Sequence, residues 1–253
     1  MNTFETMSEN ITELENQLLN PDQKTKDMMF KAMFQYFETN EIWEAIIVAG
    51  EMSLIGIDVK SQLNDEQRSK MVEELQSLRD KAAKDEDPYL YIDLARCIYR
   101  FKNIGINFPD LNTEEMQKLQ NLPDTIRNDK EWPKDHLAYI PQIANAINQD
   151  VNSLKQPNDA ITVRQELEQD IAEKENDDKQ FHSMIIGGGL LAQFDNNQAI
   201  ELFQSKAWKN GKQWPEILDY FKKISQEENG WQMARLLPPM QTLIKLYRLE
   251  NSN

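Results

Sequence analysis

Apolar residues recur at intervals of three and four along almost the whole chain. In the stretch from Met28 they fall at Met29, Met33, Phe34 and Phe37, and from Tyr89 at Leu90, Leu94, Cys97, Ile98 and Phe101. That spacing lines one face of an α-helix, whereas a strand needs alternation at period two, which is nowhere sustained. Helix starts are marked independently. Pro88 follows Asp87, Pro133 follows Trp132 and Pro215 follows Trp214, and proline suits the first helical position because the amide it lacks would be unbonded there. Asn64 with Gln67, and Asn112 with Glu115, have the spacing of a reciprocal cap, in which each side chain bonds the other residue's amide. The pattern predicts an all-α fold of about twelve helices. They should begin near residues 4, 23, 41, 65, 88, 113, 133, 158, 179, 197, 215 and 232. Stacked antiparallel hairpins, solenoid-like or as an irregular bundle, are the expected architecture.

An internal echo sharpens this. Ile55-Gly56-Ile57-Asp58 recurs 49 residues later as Ile104-Gly105-Ile106-Asn107, and Leu63-Asn64-Asp65-Glu66 returns as Leu111-Asn112-Thr113-Glu114. Each block runs from an apolar helix through a glycine stop and a short turn to a capped polar helix. Glycine stops a helix because it takes the left-handed conformation without a Cβ clash. The repeat implies two similar helical pairs, each covering the apolar face its neighbour exposes.

Ile186-Gly187, Asp195, Ala199-Ile200-Glu201 and Phe203-Gln204 resemble one tetratricopeptide unit, and Tyr36 to Ile46, with Asn40-Glu41 at the turn, is a weaker copy. The resemblance covers about a quarter of the chain and implies antiparallel helical hairpins. The chain departs from that family in having no regular period of about 34 residues. Ser183 stands where the family has tryptophan, and no proline closes the unit.

From Gln156 to Gln180 eight acids face three bases, the composition of a solvated face or a connector. The boundary expected from this is near residue 155. It would separate an N-terminal helical region, 1–155, which contains the duplication, from a C-terminal region, 156–253, unless the two make one continuous fold.

The formal charge is −15, with eight Lys or Arg against five Asp or Glu from Ser205 onward and −18 on the first 204 residues. Such a surface repels nucleic-acid phosphates and anionic lipid and attracts a basic partner. One cysteine, Cys97, excludes a disulfide framework and fits a cytoplasmic protein. No apolar run reaches the roughly 20 residues needed to cross a bilayer.

Catalytic chemistry finds few candidates. Asn158-Asp159, Thr162 and Glu166 have the spacing of a magnesium-binding motif of terpenoid cyclases, since residues about four apart share a helical face. The second, upstream acidic motif of those enzymes is missing, so the segment reads as the capped start of a solvated helix. His136 and His182 are preceded at three residues by Pro133 and Lys179, so the Glu-x-x-His pairs of a di-metal bundle are lacking. Gly187-Gly188-Gly189 has no strand before it and no Lys-Ser/Thr after it, and reads as close helix packing. No cofactor or metal is expected. The one segment mixing aromatics with bases is Trp208-Lys209-Asn210-Gly211-Lys212-Gln213-Trp214. There Trp208, Lys209, Lys212 and Trp214 could grip an acidic peptide, a phosphate or a base, or the two tryptophans could be buried at a helix junction.

The sequence thus reads as a non-enzymatic protein-binding scaffold (an adaptor, an inhibitor of the immunity type, or a chaperone-like body) presenting an acidic surface to a basic protein. Two alternatives remain: a nucleic-acid mimic that blocks a DNA-binding protein, and a helical enzyme with an unrecognised site.

Overall fold

The computed structural model describes residues 12–85, 87–174, 179–209 and 213–251. Among them the fold is all-α, with thirteen helices and no strand. The helices are α1 (12–19), α2 (Gln23–Glu38), α3 (Ile42–Leu54), α4 (Asp65–Asp85), α5 (Pro88–Ile104), α6 (Thr113–Asn128), α7 (Ile140–Ala146), α8 (Val151–Leu154), α9 (Asp159–Glu173), α10 (Lys179–Phe194), α11 (Asn196–Phe203), α12 (Trp214–Gln226) and α13 (Gly230–Asn251). None is long and apolar enough to cross a membrane. The start expected near residue 4 lies outside the described residues. The helix expected near 133 begins at Lys134 as a 3-10 helix, Lys134–Tyr139, and continues as an α-helix from Ile140, with Pro141 in its first turn. Pro133 occupies the position before the turn and leaves the chain extended there (ψ 125°).

The chain divides into two compact units, Met33–Val163 and Met1–Ala32 with Arg164–Asn253. The divisions fall inside α2 and α9, whereas the sequence boundary was drawn at 155.

In the unit of residues 33–163, α5 is the hub and packs on α3, α4, α6 and α7. Its apolar stripe supplies Leu94, Cys97, Ile98 and Phe101, all fully buried. The helices α3 and α5 end alike. Gly56 (φ 82°) and Gly105 (φ 77°) both take the left-handed conformation. The amide of Gly56 bonds the Ser53 carbonyl and that of Ile57 the Met52 carbonyl; the amides of Gly105 and Ile106 bond Lys102 and Phe101. Both bonds of the first cap are matched in the second at an offset of 49, where Gly105 also bonds the Phe101 carbonyl, and both form the six-to-one closure of a Schellman motif. The next helices begin alike too. Asn64 and Gln67 cap each other at the start of α4 (2.8 and 3.0 Å), as do Asn112 and Glu115 at the start of α6 (2.9 and 2.8 Å).

A second repeated device was not visible in the sequence. Arg79 of α4 donates from Nε (2.7 Å) and Nη2 (2.6 Å) to the Glu115 carboxylate, and its two Nη groups reach the carbonyls of Pro109 and Asp110. The same carboxylate caps α6. Arg127, at the end of α6, repeats the arrangement 48 residues later. It donates from Nε (2.9 Å) and Nη2 (2.6 Å) to Asp159 and from Nη2 to the Leu154 carbonyl. Asp159 in turn accepts the Gln156 amide, three residues back (2.7 Å). Each arginine therefore clamps one helix to the start of a later one through a charge-assisted fork.

In the other unit α13 packs on α10, α11 and α12. The three glycines of α10 admit three different neighbours. A Cβ on Gly187 would lie 2.4 Å from Leu167, on Gly188 3.1 Å from the Trp208 ring, and on Gly189 2.3 Å from Pro239. Pro238 and Pro239 stand inside α13, where proline removes helical amide donors and pushes against the preceding turn. Gly189 leaves room for the Pro239 ring. The glycine run is thus a packing surface.

Candidate functional site

The tryptophan-flanked turn is held from within. Trp208 and Trp214 are both buried. Phe203 packs on each (5.1 and 5.8 Å between ring centroids), and Trp214 stacks on Tyr247 at 4.6 Å. Trp214 Nε1 donates to Glu15 Oε1 and Arg248 Nε to Glu15 Oε2, both at 2.9 Å, so a carboxylate of α1 is shared by α12 and α13. Glu15 satisfies the indole donor of Trp214 while that of Trp208 has no acceptor, and burial leaves neither ring open to a base or peptide. Lys209 is exposed, in the left-handed region (φ 47°). Lys212 lies outside the described residues. Of the four residues singled out in the sequence, the structure brings the two tryptophans into one aromatic core with Phe203 and Tyr247.

The Asp159 reading is corrected. The carboxylate lies on no solvated face: it is buried and forked by Arg127. Thr162 Oγ1 donates back to the Asn158 carbonyl (3.0 Å). Asp159 and Thr162 are therefore engaged in clamp and helix-start bonds. No cluster that could hold a metal ion occurs among the described residues. Cys97 is a free, buried thiol whose pKa burial pushes up to about 12, so it carries almost no thiolate near neutrality, and the thiolate is the reactive form. Burial, helped by the cations Arg235 and Lys174, holds His182 below its ordinary value.

An aromatic shelf in the unit of residues 33–163 went unread in the sequence. Asp87 caps α5 by accepting the Tyr89 amide (2.9 Å), which fixes Tyr89 in the first turn with its side chain 47% exposed. One face of Tyr89 stacks on Trp132 (4.5 Å, 30° between planes). Trp132 itself is buried, and its Nε1 has no acceptor. His136 stands perpendicular to Tyr89 at 5.6 Å between ring centroids, and Tyr139 lies 6.0 Å from His136. The nearby cations are engaged. Arg96 lies over the Tyr139 ring at 4.8 Å and bonds Asp93, and the Lys134 ammonium bonds the carbonyls of Ile126 and Asp129. Asp135 sits beside His136 (3.1 Å), with its carboxylate 45% exposed. Trp132, His136 and Tyr139 are spaced in the sequence as one short helical face; their link to Tyr89, 43 residues earlier, is tertiary and leaves no local signal.

No family model, no curated protein and no solved structure matches this chain.

Proposed function

We propose that the chain is a non-enzymatic helical scaffold that presents an acidic surface to a basic protein. One observation carries this: how charge is distributed in the unit of residues 33–163. The unit holds 23 Asp and Glu against 14 Lys and Arg, a net of −9. Three of the bases, Arg79, Arg100 and Arg127, turn inward onto internal carboxylates and carbonyls. Along α4 the carboxylates of Asp65, Glu66, Glu73, Asp80 and Asp85 stay exposed. A field of this sign steers encounter with a cationic partner. The repeated hairpins support the reading, because stacked helical pairs of tetratricopeptide type offer long, fixed surfaces. The free thiol of the lone cysteine fits a reducing, cytoplasmic setting.

The test is capture of the partner from native cells, followed by binding kinetics at rising salt. Association should slow markedly while dissociation changes less. A partner that associates at a salt-independent rate, or that is itself acidic, sinks the proposal.

A further inference from the structure

We infer that the open face of Tyr89 receives a lysine or arginine side chain of the basic partner. The inference rests on the acidic-scaffold reading and names the spot on that surface where a cation is held.

Tyr89 is one of three large apolar side chains exposed among the described residues, with Met116 and Ile161, and of the three it alone is aromatic. Trp132 stacks on one face of the ring, His136 stands perpendicular to it, and 47% of the residue stays exposed, which leaves the face away from Trp132 for a partner. The ring is held at the first turn of α5 by the Asp87 cap and backed by a buried indole, so ordering it on binding costs little. A cation over such a face is attracted by the ring quadrupole.

Charge decides which occupant fits. Asp87 caps the helix two residues before Tyr89, and Asp135 lies 3.1 Å from His136, the ring's perpendicular neighbour. The neighbouring cations Arg96 and Lys134 are engaged with Tyr139, Asp93 and backbone carbonyls. An arriving group therefore meets an aromatic plane in a unit of net charge −9, the complement of an ammonium or guanidinium on an aliphatic stem. A nucleotide would stack on the same plane but bring its phosphates against that charge.

The experiment uses the full chain, with decalysine as the probe, and reads affinity by calorimetry and the Trp132 indole N–H by NMR. The parent should bind with salt-sensitive affinity and the Trp132 signal should move. Tyr89→Leu should weaken binding roughly 2- to 5-fold, the worth of an exposed cation–π contact, and abolish the Trp132 shift. Tyr89→Phe, which keeps the ring, should behave as the parent. Asp135→Asn should weaken binding without touching the ring, and it keeps the test readable if Tyr89→Leu does not fold. Binding by Tyr89→Leu equal to the parent, with the Trp132 signal unmoved throughout, overturns the ring site and leaves the acidic scaffold standing. Failure of the parent to bind decalysine at all overturns both. If a ten-residue thymidine oligonucleotide binds instead with the same dependence on Tyr89, the ring is a base-stacking platform and the inference is wrong.

Discussion

Glu51 and Arg100 occupy the same position in two consecutive helical pairs, 49 residues apart, and they bond to each other at 2.8 Å. Gly50, beside Glu51, makes this possible: a Cβ there would lie 2.3 Å from Arg100 Cγ. The first prediction follows from that fit. Gly50→Ala should cost about 1–3 kcal/mol through overpacking, measured by urea unfolding. In an Arg100→Ala background the same change should cost less, because Cγ and Cδ are gone and only the Cβ contact at 2.6 Å remains. Equal costs in the two backgrounds would mean that the strain is taken up elsewhere.

Asp159→Ala should be strongly destabilising, by about 3 kcal/mol, because it leaves the guanidinium of Arg127 without its carboxylate in a largely buried place. Equilibrium unfolding measures this. A loss within about 0.5 kcal/mol, the range of ordinary surface changes, would show that the clamp contributes nothing. Combined with Arg127→Met, the loss should be smaller than the sum of the two single changes.

Cys97 should resist thiol reagents in the native protein at pH 8, since its pKa is pushed up to about 12 and the thiol is buried. Its labelling should then keep pace with unfolding as urea is raised. Rapid labelling without denaturant would contradict the packing of α5.

His182 makes stability depend on pH in a definite direction. Its folded-state pKa lies below the ordinary 6.5 because of burial and the cations Arg235 and Lys174. Above 6.5 the ring is neutral in both states and adds no slope. Below it the unfolded chain takes up the proton more readily, so stability is lost as pH falls through the folded pKa. His182→Gln removes that loss, and the gap between parent and variant in urea midpoint should change steadily from pH 7 to pH 5. Parallel pH profiles would remove the histidine from the account.

Much of the fold was legible because it is written locally. The capping pairs Asn64–Gln67 and Asn112–Glu115 and the glycine stops at 56 and 105 are short-range devices, and each appears where its spacing placed it. Long-range pairing was not legible. Nothing near Asp159 announces Arg127, 32 residues back, so a spaced acid read as solvated is buried. Trp208 and Trp214 look the same in sequence whether they line a groove or a core, and Phe203, Tyr247 and Glu15, which decide between the two, come from distant segments. Tyr89 was read only as the first apolar residue of α5, because its partner Trp132 belongs to another element.

The Glu15 carboxylate, shared by Trp214 and Arg248, has a consequence for how the molecule is made. Its two donors lie 199 and 233 residues downstream. On a ribosome adding about 5–20 residues per second, α1 must wait roughly ten seconds or more after its own synthesis for α12 and α13. Residues 33–163 emerge in the interval and have all their own segments at hand. The nascent chain therefore carries Leu18, which ends up buried, without its final cover while residues 33–163 emerge, and the unit that joins α1 to α12 and α13 is completed after them.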